Sequence, residues 1–237
     1  SSNTVAALGA AGAMPDYVQV GNEINPGLLW DDGRVGGAFD SPRQWAQLAA
    51  LLTSAAEGIR DAAGEDMPKL MIHIAAGGNW GATRWFFDNL ESHQVPFDII
   101  GQSFYPWWHG STEDLRLCLD NTATRYGRPV WVVETAFPWT GTEAVDGFPP
   151  TPDGQVQFTA ALAHILKGVP NGRGTGLFWW GTEYQAVDGH NLASFNQRSF
   201  FDADGNVLPV ASAFGQLTAP VRLSATLEED GMLMQWP

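Results

Sequence analysis

The sequence of 237 residues predicts an α/β protein whose parallel sheet is covered by helices on both faces. Short apolar runs alternate with helical patterns along the chain, which is the order of elements in βαβ units. Two runs, residues 17–22 and 130–134, are apolar and rich in β-branched residues, as the strands of such a sheet are. Each run leads to a glutamate, Glu23 and Glu134, so we expect both carboxyl groups at the carboxyl edge of the sheet.

The elements can be predicted in chain order from these patterns. Residues 4–13 form the end of a helix that two glycines close. After the first strand, a loop rich in Gly, Asp and Trp occupies residues 26–40. Residues 41–44, Ser-Pro-Arg-Gln, then give an N-cap, a proline at the first helical position and a glutamine three residues after the cap. The helix that they start keeps its period to about residue 62.

The remaining chain repeats the alternation. Its predicted strands are residues 70–75, 98–103, 130–134 and 175–180, and its predicted helices are 80–91, 112–126, one with Phe158, Leu162, Ile165, Leu166 and Val169 on a single face, and a short one near 209–217. Together with residues 17–22 this makes five strands. Right-handed βαβ units then predict one parallel sheet.

The charge of the chain excludes some partners. Twelve basic and 26 acidic side chains leave a formal net charge of −14. Such a charge argues against binding to nucleic acid or to an anionic membrane surface, whereas a neutral ligand is indifferent to it. No apolar run reaches the roughly 18 residues that span a bilayer. No signal peptide is visible, although the chain does not begin with Met.

The cysteine count excludes another class of structure. Cys118 is the only cysteine, so the sequence has neither a disulfide framework nor a cysteine-based metal site. It lies on an apolar helical face, where we expect it to be buried as a small hydrophobic residue.

Several sequence blocks resemble a known family. The Val-Gly-Asn-Glu of residues 20–23 and the Val-Val-Glu of residues 132–134 resemble clan A of the retaining glycoside hydrolases. The wider blocks PDYVQVGNEIN at 15–25, GQSFYPWWHG at 101–110 and FFD at 200–202 narrow the resemblance to family 53, the arabinogalactan endo-β-1,4-galactanases. These blocks are spread over roughly residues 1–217, and their combination is highly specific.

The resemblance implies a particular place for the chain in a larger fold. In the family, the acid/base follows strand four of a TIM (β/α)8 barrel and the nucleophile follows strand seven. Two predicted strands separate Glu23 from Glu134, so residues 1–218 would be the C-terminal five βα units of that barrel, with the N-terminal three units missing. Residues 219–237 would be a linker and the truncated start of a fibronectin-like or immunoglobulin-like β-sandwich module, or else a simple C-terminal extension.

The resemblance also implies roles for polar residues. Glu23 would be the acid/base and Glu134 the nucleophile of a retaining endo-glycosidase. Two carboxyl groups roughly 5 Å apart select this route, and the acid must stay protonated near neutral pH. Asn22 would bind the sugar 2-hydroxyl and Tyr105 would donate to the nucleophile. The residues alone leave other interpretations open: solvent-facing strand ends for the glutamates, a turn cap for Asn22, and packing on Pro106 for Tyr105.

Aromatic residues and histidines are the candidates for binding sugar. Trp45 and Trp85 lie in helical patterns and should belong to the core, whereas other tryptophans follow strands and could be flat platforms for sugar rings. His73 lies within an apolar strand and either belongs to the core or faces the site. The predicted substrate-binding residues, beside Asn22 and Tyr105, are Trp30, His73, Trp107, His109, Trp139 and Trp180, with Trp108 as a further platform candidate.

Metal binding is a weaker expectation. Some bacterial members of the family hold calcium in loops, but residues 142–147 are sparse in acidic ligands here, and residues 188–191 are too few to supply six to eight oxygens alone. Residues 202–206 resemble part of a calcium loop but lack its later glutamate, so we expect a turn. We therefore predict no metal and no other cofactor, with calcium kept as the alternative.

The predicted function is hydrolysis of β-1,4-galactosidic bonds in type I arabinogalactan by a secreted or periplasmic enzyme that is monomeric when full length. The alternatives are another clan A retaining β-glycanase, such as a mannanase or cellulase, and an inactive carbohydrate-binding fragment. A binding module alone would not need two glutamates at strand ends. A nucleotide-binding domain would need a glycine-rich turn that residues 75–79 do not provide.

Overall fold

A computed structural model describes residues 2–185 and 194–217, and the backbone of 224–228 and 231–235. Five parallel strands form one sheet in which the spatial order β1-β4-β5-β6-β7 is the order along the chain. The strands are β1 (Tyr17–Gln19), β2 (Gly27–Leu28), β3 (Gly33–Arg34), β4 (Lys69–Ile74), β5 (Ile99–Ser103), β6 (Val130–Glu134), β7 (Gly174–Leu177), β8 (Ser224–Glu228) and β9 (Gly231–Gln235). The predicted parallel α/β sheet is confirmed.

Helices follow the sheet strands, as predicted. They are α1 (Ser2–Ala10), α2 (Pro42–Ala63), α3 (Trp80–Ser92), α4 (Pro106–His109), α5 (Thr112–Tyr126), α6 (Pro152–Gly168) and α7 (Pro209–Gly215). Helix α2 begins where the cap signal predicts, and the Ser41 side chain accepts a hydrogen bond from the Gln44 amide. Its buried face includes Trp45, Leu48 and Leu52. Trp85 packs against the same core, so both tryptophans lie where the helical pattern predicts.

The first strand is shorter than its apolar pattern. Residues 17–22 were expected to be extended, but β1 ends at Gln19, because Gly21 and Glu23 have left-handed backbones with φ of 79° and 48°. The same shortening occurs at the last sheet strand, which ends at Leu177 and not at residue 180. At both ends the sheet hydrogen bonding persists, as the amide of Val20 donates to Met71 and that of Phe178 to Val132.

The sequence pattern did not predict the β2–β3 pair or helix α4. Strands β2 and β3 form an antiparallel pair inside the loop at 26–40, where Gly27 has a φ of 91° and lies so close to Gly33 that a Cβ would meet its carbonyl oxygen at 1.9 Å. Helix α4 is a single turn directly after Tyr105. Neither element is long enough to show a hydrophobic period, which is why the sequence pattern misses them.

The sheet has two distinct faces because side chains alternate along each strand. One face packs under the helices in the main core, whose largest fully buried side chains include Phe86, Phe104, Phe137 and Phe158. The other face carries a smaller cluster of Met71, Ile99 and Trp131, with Val133 against it. Burial of each large apolar side chain contributes roughly 1.5–3 kcal/mol to stability. The larger core therefore holds the strands in place. The face with Met71, Ile99 and Trp131 can then carry the polar side chains of a site.

Cys118, the C-terminal strands and the helices bear on three further predictions from the sequence. Cys118 is fully buried on α5, as expected. Strands β8 and β9 pair antiparallel, as the two strand patterns in residues 219–237 predict, but the sandwich module stays a prediction because the linker residues 218–223 lie outside the described residues. Among the helices that the structure describes, none is both long and apolar enough to cross a membrane.

Candidate active site

Three ionisable side chains, carried at or after the carboxyl ends of β1, β4 and β6, meet at the carboxyl edge of the sheet. Glu23 follows β1, His73 lies on β4 and Glu134 ends β6. One ligand atom from each lies within 4.8 Å of the others. The predicted convergence of the two glutamates is thus present in the structure, and His73 proves to face the same cluster.

The backbone around Glu23 is held by hydrogen bonds to β4. The amide of Ile24 donates to the carbonyl of His73 at 3.0 Å. The Asn25 side chain then pairs with Ala75 in both directions, because its Oδ1 accepts from the Ala75 amide at 2.6 Å and its Nδ2 donates to the Ala75 carbonyl at 3.1 Å. The side-chain amide of Asn25 thus makes the two hydrogen bonds to Ala75 that the backbone of a neighbouring strand would otherwise make. These bonds fix the left-handed conformation that points Glu23 over the sheet edge.

Gly21 makes the same turn sterically feasible. Its φ of 79° belongs to the region that favours glycine, and a Cβ at this position would lie 2.5 Å from Cγ2 of Ile24. The sequence block Val-Gly-Asn-Glu therefore has a physical basis: glycine allows the chain to turn, and the turn delivers Asn22 and Glu23 to the edge.

Glu23 receives a hydrogen bond from a residue that the sequence analysis did not select. Ser103 Oγ, at the end of β5, donates to Glu23 Oε1 at 2.6 Å, and His73 Nε2 lies 2.8 Å from the same Oγ. His73 and Ser103 are both fully buried. Burial lowers the pKa of His73 to about 4, so the imidazole is neutral at neutral pH. A serine at a strand end gives no sequence signal of its own, although its place two residues after Gly101, the register partner of His73, puts both side chains on one face.

Glu134 has different neighbours. The Tyr105 hydroxyl donates to its Oε2 at 3.2 Å, and the Asn22 side chain is its other hydrogen-bonding partner. Burial and the nearby charge of Glu23 raise the pKa of Glu134, and the two hydrogen bonds act in the opposite direction because they favour the carboxylate. Burial, and then the charge of Glu134, raise the pKa of Tyr105, so its phenol keeps its proton and remains a donor.

An aromatic wall extends from Tyr105. The rings of Trp107, Trp108 and His109 have their centroids 5.3, 5.3 and 6.0 Å from that of Tyr105. The Tyr105 amide donates to His109 Nδ1 at 3.0 Å. In the neutral ring, which burial favours by lowering the pKa of His109, the proton is then on Nε2. The predicted residues Trp107 and His109 are therefore brought to the site by the single turn of α4.

Two residues that the sequence analysis missed complete this wall. Phe195 packs edge-on against Tyr105 with ring centroids 5.9 Å apart. The guanidinium of Arg198 lies 4.4 Å from the ring centroid of Trp107 and 4.7 Å from that of Phe195. Both come from the irregular segment after β7, where no periodicity marks them.

The other tryptophans that the sequence predicts as platforms for sugar rings lie in three different connecting segments: Trp180 follows β7, Trp139 follows β6 and Trp30 lies between β2 and β3. Trp180 is 43% exposed, and its amide donates to the carbonyl of Thr135, one residue after Glu134. Trp139 is held by hydrogen bonds to residues 196 and 197, the segment of the aromatic wall. Trp30 is 57% exposed in the β2–β3 loop and lies beneath the guanidinium of Arg34, 4.5 Å from its ring centroid. Its Nε1 donates to the carbonyl of Pro26 at 3.0 Å, so these contacts hold Trp30 within its own loop.

The segments considered for calcium can be compared with the structure. Asp146 accepts a hydrogen bond from the Thr112 amide. Residues 188–191 lie outside the described residues. Asp202 accepts from the amides of Asp204 and Asn206, so the segment forms the expected turn. Within the described ranges, the group of three side chains that could hold a metal ion is Glu23, His73 and Glu134, the same cluster that lies at the carboxyl edge of the sheet.

Two carboxyl groups at the carboxyl edge of a parallel α/β sheet, with one oxygen of each within 4.8 Å of the other, are an arrangement that retaining glycoside hydrolases use. Inverting enzymes need a separation of roughly 6.5–9.5 Å to admit a water molecule. The model of glycosyl hydrolase family 53 matches residues 1–214. The chain belongs to glycosyl hydrolase family 53.

Individual relatives agree with this family. A protein of Niallia circulans, described as an uncharacterized protein in the bgaB 5′ region, is 43% identical over 182 residues, which is 71% of this chain and 49% of the relative. An arabinogalactan endo-β-1,4-galactanase of Thermothelomyces thermophilus is 35% identical over 221 residues, 87% of this chain and 63% of that enzyme. A solved fungal β-1,4-galactanase is 31% identical with a TM-score of 0.78, covering 91% of this chain and 66% of that one. The chain thus spans between half and two thirds of the curated relatives.

Replacing Tyr105 with phenylalanine tests the electrostatics of Glu134. The variant loses a donor that favours the carboxylate, so the pKa of Glu134, already raised by burial, should move further up. Titration of the carboxyl carbon by 13C NMR, assigned with Glu134→Gln, measures it. Tyr126→Phe is the matched control, because that hydroxyl donates to the remote Asp88. An unchanged or lower pKa in Tyr105→Phe would contradict the hydrogen bond.

Proposed function

We propose that the protein is a retaining endo-glycosidase that hydrolyses β-1,4-galactosidic bonds in type I arabinogalactan, with Glu23 as acid/base and Glu134 as nucleophile. The observation that carries the proposal is the pair of carboxyl groups whose oxygens approach within 4.8 Å, each with its own hydrogen-bond donors. Ser103 donates to Glu23, whereas Tyr105 and Asn22 act on Glu134 and favour the carboxylate form that a nucleophile needs.

The first chemical step transfers a proton and forms a covalent bond. Protonated Glu23 gives its proton to the glycosidic oxygen while a carboxylate oxygen of Glu134 attacks the anomeric carbon, and the bond to the leaving sugar breaks. Two donors, Tyr105 and Asn22, favour the ionised form that Glu134 needs for this attack. In the second step Glu23 removes a proton from water, which attacks the anomeric carbon and releases Glu134. We assign Asn22 to the sugar 2-hydroxyl, as the family resemblance implies, since its side chain acts on Glu134.

The substrate class rests on the relatives and on the shape of the site. The fungal relatives are named arabinogalactan endo-β-1,4-galactanases. The aromatic wall of Tyr105, Trp107, Trp108 and His109, together with Trp180, offers faces on which sugar rings can stack. Trp30 and Trp139 would extend these faces along the polysaccharide. The proposed reaction needs no cofactor, since carboxyl groups carry out both proton transfer and attack.

We further propose that residues 1–218 are five of the eight βα units of a (β/α)8 barrel. Among the described strands, β1 and β7 are the edges of the sheet, and large aromatic side chains there are uncovered: Tyr17 and Phe178 are each 51% exposed, and both pack against Trp131. Apolar clefts lie along both open strands. Three further units would cover these edges and complete the groove, in keeping with relatives that are longer than this chain.

The setting of the protein follows from its substrate. A polysaccharide does not cross a membrane, so we propose a secreted or periplasmic enzyme that acts as a monomer when full length. The net charge of −14 is compatible with a neutral galactan and unfavourable for nucleic acid.

Substrate specificity is the first test of the proposal. The full-length protein should release short galacto-oligosaccharides from galactan and leave β-mannan and carboxymethylcellulose intact. Chromatography of the products on the three polymers measures this. Activity confined to mannan or cellulose would favour another clan A specificity, and no activity on any polymer would favour a binding role.

Alanine substitutions at the two glutamates should separate their roles in the full-length protein. Glu134→Ala removes the nucleophile, so no glycosyl-enzyme forms and turnover should fall by at least about 10⁴-fold on every substrate. Glu23→Ala should retain formation of the intermediate with a dinitrophenyl galactoside, whose leaving group needs no proton, and added azide should restore its breakdown. Equal losses on activated and unactivated substrates in Glu23→Ala, without azide rescue, would contradict the assignment.

The barrel proposal predicts how the isolated chain behaves. Each uncovered large side chain forfeits roughly 1.5–3 kcal/mol, against a domain stability of only about 5–15 kcal/mol. Residues 1–237 alone should therefore aggregate or bind a hydrophobic dye, and should not hydrolyse galactan. The full-length protein should neither aggregate nor bind the dye, and it should hydrolyse galactan. A monomeric preparation of residues 1–237 with a sharp thermal transition and galactanase activity would contradict the proposal.

A further inference from the structure

A chain of two hydrogen bonds links the buried interior of the sheet to Glu23. It runs from His73 on β4, through Ser103 on β5, to the carboxyl group after β1. We propose that His73 and Ser103 are positioning residues for the acid/base: they hold one carboxyl oxygen of Glu23, Oε1, as an acceptor, so that the catalytic proton is carried on Oε2. This inference rests on the function proposed above for Glu23.

The direction of the chain follows from counting protons. A serine hydroxyl has a single proton, and Ser103 donates it to Glu23 Oε1 at 2.6 Å. At its other neighbour, His73 Nε2 at 2.8 Å, Ser103 Oγ must then accept. The proton of the imidazole is therefore on Nε2, and Nδ1 carries a lone pair.

The surroundings of His73 keep it in this form. Its side chain is fully buried, and Nδ1 has no hydrogen-bond partner among the described residues. A second proton on Nδ1 would create a buried charge with no acceptor, which is costly, and burial correspondingly lowers the pKa of His73 to about 4. A neutral imidazole with its proton on Nε2 can only donate to Ser103, so the serine hydroxyl cannot turn away from Glu23.

Two consequences for acid catalysis follow. A carboxylic proton on Oε1 would face the proton of Ser103, so the proton is directed to Oε2, the oxygen left for the substrate. A neutral His73 also places no positive charge beside Glu23, and such a charge would favour the carboxylate and remove the acid. Because the register of β4 and β5 fixes His73 and Ser103 on rigid strands, the geometry does not depend on a loop.

The kinetic test compares two substrates in the full-length protein. When galactan is cleaved, the leaving oxygen needs a proton, whereas the leaving group of dinitrophenyl β-galactobioside does not. The values of kcat/KM on these two substrates are therefore compared. Ser103→Ala and His73→Leu should lower kcat/KM on galactan about 10- to 100-fold, and on the dinitrophenyl substrate by less than about 3-fold.

Conservative variants and a control separate positioning from structure. Ser103→Thr keeps the hydroxyl and His73→Gln keeps an N–H donor, so both should recover most of the lost kcat/KM. Thr122→Val removes a fully buried hydroxyl on α5, outside the site, and should leave both substrates unaffected. Equal losses on the two substrates, or no loss in Ser103→Ala, would overturn the proposal. If His73→Leu does not fold, Ser103→Ala and His73→Gln decide the question.

A spectroscopic readout is independent of the substrate. The 15N shifts of His73 should show a neutral ring protonated on Nε2 between pH 5 and 8. A ring protonated on Nδ1 would overturn the proposed direction even in an active enzyme. Conversely, wild-type protein without activity on galactan would overturn the proposed function, while the tautomer of His73 would still confirm or overturn the hydrogen-bond chain.

Discussion

The pairing of β1 with β4 continues beyond the last residue of β1, and the site depends on this continuation. After Gln19 the backbone departs from the extended conformation, yet the amide of Ile24 and the side chain of Asn25 still bond to β4. Residues 20–24 are therefore hydrogen-bonded to β4 at both ends, while Gly21 and Glu23 between these ends have left-handed backbone conformations. A glutamate in a free loop would sample many positions, and this one is limited to the space above His73 and Ser103.

Neutral groups supply the hydrogen bonds to the two carboxyl groups described above. A serine hydroxyl contacts Glu23, and a phenol and an amide contact Glu134. Hydrogen bonds from such groups stabilise a carboxylate less than an ion pair with arginine would. At Glu134, burial and the charge of Glu23 therefore outweigh the two hydrogen bonds, and the pKa of this carboxyl group is raised.

Much of the sheet and its catalytic edge could be predicted from the sequence, because strong periodicity marks long elements. The strands at 70–75, 98–103 and 130–134 and the helix cap at Ser41 are local features, and the structure has them within a residue or so. The contacts that the prediction missed are not local. Ser103 gains its role from residues 30 and 80 positions away, and Arg198 and Phe195 come from a segment without a hydrophobic period. The left-handed turn at Glu23 also ends β1 earlier than its apolar pattern suggests.

The sheet order has a consequence for the way the molecule folds. Because spatial order equals chain order in the five-stranded sheet, each of its strands pairs with the strand of that sheet that precedes or follows it along the chain, so no pairing spans more than one βα unit. Synthesis from the amino terminus delivers β1, β4 and β5 before β6. Glu23, His73 and Ser103 can thus assemble on the nascent chain first, and the strand that brings Glu134 joins an edge on which Glu23 and its hydrogen-bond partners are already in place.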